Sequence, residues 1–359
     1  MIVAGAGPDD QLVRVAVVGP GGWGRQHTRV FASRPDTTLC AVVGRDHART
    51  EAEARRLGVV GYTDIEQMLA EERPDLVAVS LPNEDHFRPT LQLLQHRIPL
   101  LVEKPLVFDL DEADQLLAEA ARSDTFFAID FNHRYAEPVI RARNAINDGS
   151  LGQPVFATWR FGGEANVGSS PHKNIIETQC HAFDLLEYLL GPISSIAAQM
   201  TDMTYGAWST IALSLGFASG AVGTLLGSYD SSYAYRDTHV LEVNGTLGRA
   251  LVHDTVQQYT FQRVGDETAT VWRPGYFNDS GRSFHHTFDA YVDDLLAALR
   301  AGEPPRVPAS AGRRALLLAQ RAIESHQTGQ RVTIEAPAPT PSDRVREAGD
   351  RRHGGVEES

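Results

Sequence analysis

The chain has 359 residues, 42% of them hydrophobic and 22% charged, the balance of a globular protein long enough for two domains. Acids outnumber bases 46 to 33, a formal net charge of −13 with no compensating basic block, which argues against nucleic acid or an anionic membrane as partner. No apolar run approaches the ~20 residues of a membrane span, no basic leader precedes one, and Cys40 and Cys180 make no disulfide framework, so a reduced, cytoplasmic protein is expected.

From residue 12 onward, strand-like and helix-like segments alternate. "LVRVAVVG" is a near-continuous apolar run, as expected of a strand buried on both faces. A helix-like stretch over 25–34 follows. Next come "TLCAVVG", the charged helix "HARTEAEARRLG", "IEQMLAEE", "DLVAVSLP", "RPTLQLLQHR", "LLVEKP", "DEADQLLAEAARS" and "FFAIDF". This rhythm predicts an α/β domain with a doubly wound parallel sheet over 12–131. Beyond it the rhythm changes. A helix starts at Pro138 and runs to Asn147, followed by the strand "PVFATWRF", a Gly/Ser-rich loop and a helix over 175–190. Strand-like segments then succeed one another from 193 to 272, with a tight turn expected at Asn244–Gly245. Two amphipathic helices, over 287–301 and 311–327, close the pattern. A second domain over 132–334, α+β with a large, mostly antiparallel sheet, is therefore expected. Residues 1–11 and the Pro-rich, charged stretch 335–359 read as a flexible start and a disordered tail.

The first strand ends in "GPGGWG", where Gly19, Gly21 and Gly24 form G-x-G-x-x-G ahead of a helix. Glycines there allow a tight turn and close backbone approach to a pyrophosphate resting on the helix N-terminus. The expected cofactor contacts in this turn are Gly19, Gly21, Gly22, Trp23, Gly24 and Arg25. The second strand should choose the cofactor, because NAD sites usually end it with an acid. Here it ends in Gly44 and Arg45, with Asp46 two places late. A small residue followed by Arg leaves room for a 2′-phosphate and supplies a forked donor, so NADP is favoured over NAD. The alternative has Asp46 accepting the ribose hydroxyls.

Two later strand ends also point at this crevice. "DLVAVSLPNEDH" brings Ser80, Leu81, Pro82, Asn83 and His86; "LLVEKP" brings Glu103 and Lys104. Lys104 and Lys173 are the only lysines among 33 basic residues. Proline after Lys104 stops the strand and makes that bond a candidate for the cis form. In "NIIETQCHAFDLLEYLLG", Glu177 and His181 are four residues apart and share a helix face, with Asp184 and Tyr188 continuing the stripe. A solvated polar face is the competing reading. A metal site would lack a third ligand, and none is expected. Cys180 and His181 cannot pair as nucleophile and base, because adjacent helix residues do not face each other.

The succession Gly19/Gly21/Gly24, "LPNEDH", "VEKP", "NHRY" and a helix with an acid four residues before a histidine resembles the Gfo/Idh/MocA oxidoreductases. These are relatives of glucose–fructose oxidoreductase and inositol 2-dehydrogenase. The resemblance runs from about residue 14 to 334 and includes "LEVNGTLGRA". It implies a Rossmann domain followed by the antiparallel domain, with homodimers or homotetramers formed through the second sheet. It also implies NAD(P)-dependent hydride transfer to or from a secondary alcohol or ketone of a sugar, sugar derivative or cyclitol. Lys104 would stand between nicotinamide and substrate, with Glu103 ordering its turn. Pro82, Asn83 and His86 would line the nicotinamide side, and His181 would act as acid/base. Glu177 stands where the family carries Asp, and Gln179 where glycine is common. Arg134 in "NHRY" and Lys173 are candidate substrate contacts, Arg134 also a cofactor contact, while Tyr233, Tyr235 and Arg236 could rim the pocket. A non-catalytic cofactor-binding regulator and a reductase of a non-sugar carbonyl or imine are the alternatives. The presence of both Lys104 and His181 favours the enzyme.

Overall fold

The computed structural model describes residues 12–163, 171–204 and 206–335. The expected flexible start, nearly all of the expected tail and most of the Gly/Ser-rich loop lie outside the described residues.

Six strands make the first sheet: β1 (Val13–Val18), β2 (Thr37–Val43), β3 (Val60–Tyr62), β4 (Leu76–Val79), β5 (Leu100–Val102) and β6 (Phe127–Ile129). They alternate with α1 (Gly24–Ser33), α2 (His47–Leu57), α3 (Ile65–Glu72), α4 (Phe87–Gln95) and α5 (Leu110–Ser123). All pairings are parallel, in the order β3-β2-β1-β4-β5-β6. Every residue of β4, β5 and β6 is buried, which is why these strands read as unbroken apolar runs. The order reverses between β1 and β4, and the crevice for a ligand opens there, beyond the carboxyl ends of the strands. The sequence pattern does not disclose β3: "VGY" is three residues long, with an exposed Val60 and a glycine.

The second domain begins with α6 (Glu137–Asn147) and β7 (Pro154–Gly162). A π-helical turn, Asn174–Thr178, leads into α7 (Cys180–Leu190). Then come β8 (Ile193–Thr201), β9 (Thr210–Phe217), β10 (Val222–Ser228), β11 (His239–Gly245), β12 (Gly248–His253), β13 (Gln258–Arg263) and β14 (Thr270–Trp272). Finally, α8 (Asp279–Arg282), α9 (His286–Ala301), α10 (Ala309–Thr328) and β15 (Val332–Thr333) complete the chain. The nine-stranded sheet runs β14-β13-β12-β11-β7-β10-β9-β8-β15, antiparallel except where β7 meets β10. Residues alternate buried and exposed along β9 and β10, so one sheet face is covered and the other faces outward.

The last two helices fasten the halves together. Arg29 of α1 grips Asp289 of α9 with both carboxylate oxygens, at 3.1 and 2.8 Å. Gly312 of α10 lies so close to β6 that an added Cβ would sit 2.3 Å from Ile129 Cδ1. Two expectations are corrected. The helix over 175–190 is not uniform, because its first turn is π-helical. Asn244–Gly245 is not the tight turn but the end of β11, where the register shifts; Thr246 and Leu247 make the loop. Glycine is required at 245 because a Cβ would meet the Leu151 carbonyl oxygen at 2.2 Å. Among the described residues no helix is long and apolar enough to cross a membrane.

Candidate active site

The glycine turn is shaped by close approach. Gly19 has φ +89°, and a Cβ there would lie 2.3 Å from the Ser80 carbonyl oxygen; at Gly24 it would lie 1.9 Å from that of Gly19. At Gly21 a Cβ would meet nothing within 4 Å among the described residues, so this glycine leaves space rather than filling it. The first turn of α1 carries no side-chain cap and no acid. Its amides and the positive end of the helix dipole are thus offered to an anion, and the turn fits the pyrophosphate of a dinucleotide.

This turn forms one end of a cavity of about 1200 Å³ between the two sheets. Ser80, Leu81, Pro82 and Asn83 bound it after β4, and Glu103 and Lys104 after β5. Lys173, Glu177 and His181 close it from the second domain, and Phe161, Tyr229, Tyr233 and Tyr235 supply an aromatic wall. The Lys104–Pro105 bond is cis. The Lys104 ammonium donates to the Glu177 carbonyl oxygen at 3.1 Å, joining the Rossmann turn to the π-helical turn. Behind it, the Glu103 carboxylate accepts from the Lys104 amide at 3.2 Å and lies 2.8 Å from His27 Nε2. Asp130 Oδ2 lies 3.6 Å from the same nitrogen. His27, Glu103 and Asp130 are all buried, and their ligand-type atoms lie within 4.8 Å of one another. Burial, then the neighbouring Glu103 charge, pushes the Asp130 carboxyl up to about 8.

On the opposite wall, burial raises the Glu177 carboxyl pKa against the pull of Lys173, whose amine is 3.6 Å away. His181 is buried, and its ring lies flat on His133 with centroids 4.0 Å apart. Burial, then His133, Lys104 and His239, hold His181 well below the ordinary histidine pKa, so it is a neutral imidazole at pH 7. His239 Nδ1 meets Thr255 Oγ1 at 2.6 Å. Thr255 has φ +59° and follows Asp254 at φ +45°, a left-handed pair unusual for a β-branched residue.

The whole length of this architecture has relatives. The "Oxidoreductase family, NAD-binding Rossmann fold" matches residues 13–131, and the "Oxidoreductase family, C-terminal alpha/beta domain" matches 143–334. The chain belongs to the Gfo/Idh/MocA oxidoreductase family. It is 24% identical to myo-inositol 2-dehydrogenase of Thermotoga maritima over 348 residues, covering 90% of this chain and 99% of that protein. D-glucoside 3-dehydrogenase of Escherichia coli is 28% identical over 193 residues, half of this chain and 54% of its own. Among solved structures, levoglucosan dehydrogenase in complex with NADH superposes with a TM-score of 0.82 at 17% identity, over 91% of this chain and 100% of the other. This Gfo/Idh/MocA protein is therefore an NAD(P)-dependent oxidoreductase with the family's two-domain fold.

Not every expected site residue reaches the cavity of this family member. Gly19, Gly21, Gly22, Trp23, Ser80, Leu81, Pro82, Asn83, Glu103, Lys104, Lys173, Glu177 and His181 line it. Arg134 does not: its guanidinium forks onto Asp184 at 2.8 and 2.5 Å and lies over the Tyr188 ring, tying α7 to the junction turn. His86 is fully buried between the carbonyls of Leu81 and Pro105, bracing the two turns from behind the nicotinamide side it was expected to line. Gly24 packs α1 on the strand turn, and Arg25 points away toward Glu53, 3.7 Å distant. Gly44 and Arg45 stand at the end of β2, beyond the cavity, where Arg45 pairs with Asp85 at 2.9 Å. The solvated reading of the 175–190 stripe also fails, because α7 is buried nearly all round. Cys180 is buried with its thiol pushed up to about 12, consistent with an inert side chain. The sequence pattern singles out neither His133, His239 and Thr255 nor the His27–Glu103–Asp130 cluster. His133 stands in view inside "NHRY"; the others are joined only by the tertiary fold.

Proposed function

We propose that the protein oxidises a secondary hydroxyl of a sugar, sugar derivative or cyclitol, or reduces the matching ketone. The observation that carries this reading is the meeting of Lys104 and the Glu177–His181 turn across one cavity that also contains the glycine turn. A bound nicotinamide would supply the hydride acceptor or donor. In oxidation, neutral His181 takes the hydroxyl proton. The Lys104 ammonium stabilises the alkoxide charge as it develops. Glu177, largely enclosed, accepts a hydrogen bond from a further hydroxyl or orients Lys173. The aromatic wall suits the C–H face of a sugar or cyclitol ring. The names of the inositol and glucoside relatives support that substrate class.

NADP is the preferred cofactor in this reading. Asp46 Oδ1 accepts from the Arg49 amide at 2.9 Å and caps α2, which engages one of the two oxygens that an acid at this strand end would offer the ribose hydroxyls. Arg45 is exposed and can exchange Asp85 for a 2′-phosphate. The acidic, cysteine-poor chain suits the cytoplasm. Assembly as a homodimer or homotetramer would proceed through the outer face of the second sheet, which presents Val222 and Leu226.

The test is turnover of a panel of sugars, sugar phosphates, nucleotide sugars and inositols with NADP⁺ and NAD⁺. Lys104→Ala should lower the rate on the best substrate at least ~10²-fold, as for loss of a catalytic group; an unchanged rate removes Lys104 from the chemistry. In cofactor titrations Arg45→Ala should weaken NADP⁺ selectively. Equal weakening of both cofactors would refute the 2′-phosphate role.

A further inference from the structure

His133 belongs to the turn Asn132–Tyr135 between the two sheets, and that turn is pinned on both sides. Asn132 donates to Thr287 Oγ1 at 2.8 Å, Arg134 holds Asp184, and the Tyr135 hydroxyl donates to Asp294 at 2.5 Å. The ring between these anchors stands edge-on to Phe161 and Phe284, with centroids 6.1 and 5.2 Å away. It lies nearly parallel to the His181 ring, with 16° between the planes. Nδ1 of His133 and Nδ1 of His181 are both buried without a hydrogen-bond partner among the described residues. Both rings line the cavity, so Nε2 is the nitrogen through which each can meet a ligand.

Apolar packing alone does not account for this histidine. Phenylalanine would fill the same aromatic box without burying an unsatisfied nitrogen. Burial, with the imidazole and Lys104 neighbours, keeps both stacked rings neutral. Two near-parallel imidazoles with centroids 4.0 Å apart are close enough for their Nε2 atoms to serve two adjacent ring hydroxyls.

We infer that His133 Nε2 hydrogen-bonds the hydroxyl on the carbon next to the reacting carbon, while His181 exchanges the reacting proton. The site is thus built for a vicinal diol in a ring, and a lone secondary alcohol is a poor substrate. This rests on the oxidoreductase reading above and narrows its substrate class.

The experiment compares myo-inositol and methyl glucoside with their monodeoxy counterparts, in the wild type, His133→Phe and His133→Asn. Wild-type kcat/KM should favour the complete polyol over at least one monodeoxy compound by about 10-fold, the scale of one lost hydrogen bond. His133→Phe, which keeps the stack, should lower kcat/KM for the polyol by about 10-fold more than for that monodeoxy compound, so that the preference between the two is lost. His133→Asn, which keeps a donor, should retain part of the preference. Equal losses on both compounds in His133→Phe, or no wild-type preference, overturn the inference. Calorimetry of the same compounds on the cofactor-bound protein separates the two readings. Polyol binding that weakens in His133→Phe without any turnover would sink the oxidoreductase reading and keep the diol contact. Equal affinity in both proteins, or no binding, sinks the contact.

Discussion

Lysine is so scarce in this chain that Lys104 stands out in the sequence alone, and its amine does face the second domain across the cavity. Arginine could not replace it in proton sharing, because its guanidinium does not give up a proton. The group directly behind it behaves differently. Asp130 is buried beside Glu103, and its carboxyl pKa rises from the ordinary 3.8 to about 8. Between those values the folded chain holds a proton that the unfolded chain has released, so folding stability drawn from this group is full in acid and lost as pH rises. Asp130→Asn, always neutral, has no such loss. The stability of the wild type relative to Asp130→Asn, measured by urea denaturation, should decline as pH rises from about 4 to about 8. A flat difference would show that Asp130 is ionised in the fold.

The π-helical turn before α7 is the element on which the second half of the site depends. Gln179, which directly follows that turn, is its anchor. Its side chain accepts from Trp159 Nε1 at 3.1 Å and donates to Asn174 Oδ1 at 3.1 Å. Asn174 in turn donates to the Ser209 carbonyl oxygen at 2.8 Å. The amide packs on Gly227, where a Cβ would lie 2.5 Å from Gln179 Cδ. Gln179→Ala strands the Trp159 N–H and Asn174 in the core and should cost about 1–3 kcal/mol in chemical denaturation. It should also lower kcat by loosening Glu177 and His181. Full stability in this variant would show that water or a neighbour replaces the amide. Helical periodicity could place Glu177 and His181 on one face, but the π turn that sets their angle depends on contacts with β7, β10 and Ser209, just ahead of β9.

Across the whole molecule, the nine-stranded sheet spends one face on helices and leaves the other outward. Val222 is 57% exposed and Leu226 41% exposed on that outer face, both on β10. Charges there cost the folded monomer little, because the side chains already face solvent, but they would be buried unpaired between copies. Sedimentation velocity on Val222→Asp combined with Leu226→Glu should therefore show monomers with unchanged circular dichroism. A wild-type protein that is already monomeric would refute assembly through this face.

What the sequence determined by itself is what lies close along the chain. Apolar runs ending in glycine or proline mark buried parallel strands, and their carboxyl ends must gather at the switch between β1 and β4. That alone brings Gly19, Pro82, Asn83 and Lys104 to one crevice; the four-residue spacing puts Glu177 and His181 on one helix face, and the family resemblance assigned that face to the site. Only the tertiary structure decided which polar side chains turn inward. Arg134 and His86 had the right neighbours in sequence, yet Asp184 and two carbonyls claim them. His133, His239 and Thr255 come from separate elements and meet because two sheets close over one cavity. Burial partners far apart along the chain leave no periodic trace, so a side chain's loyalty to site or scaffold is settled by packing.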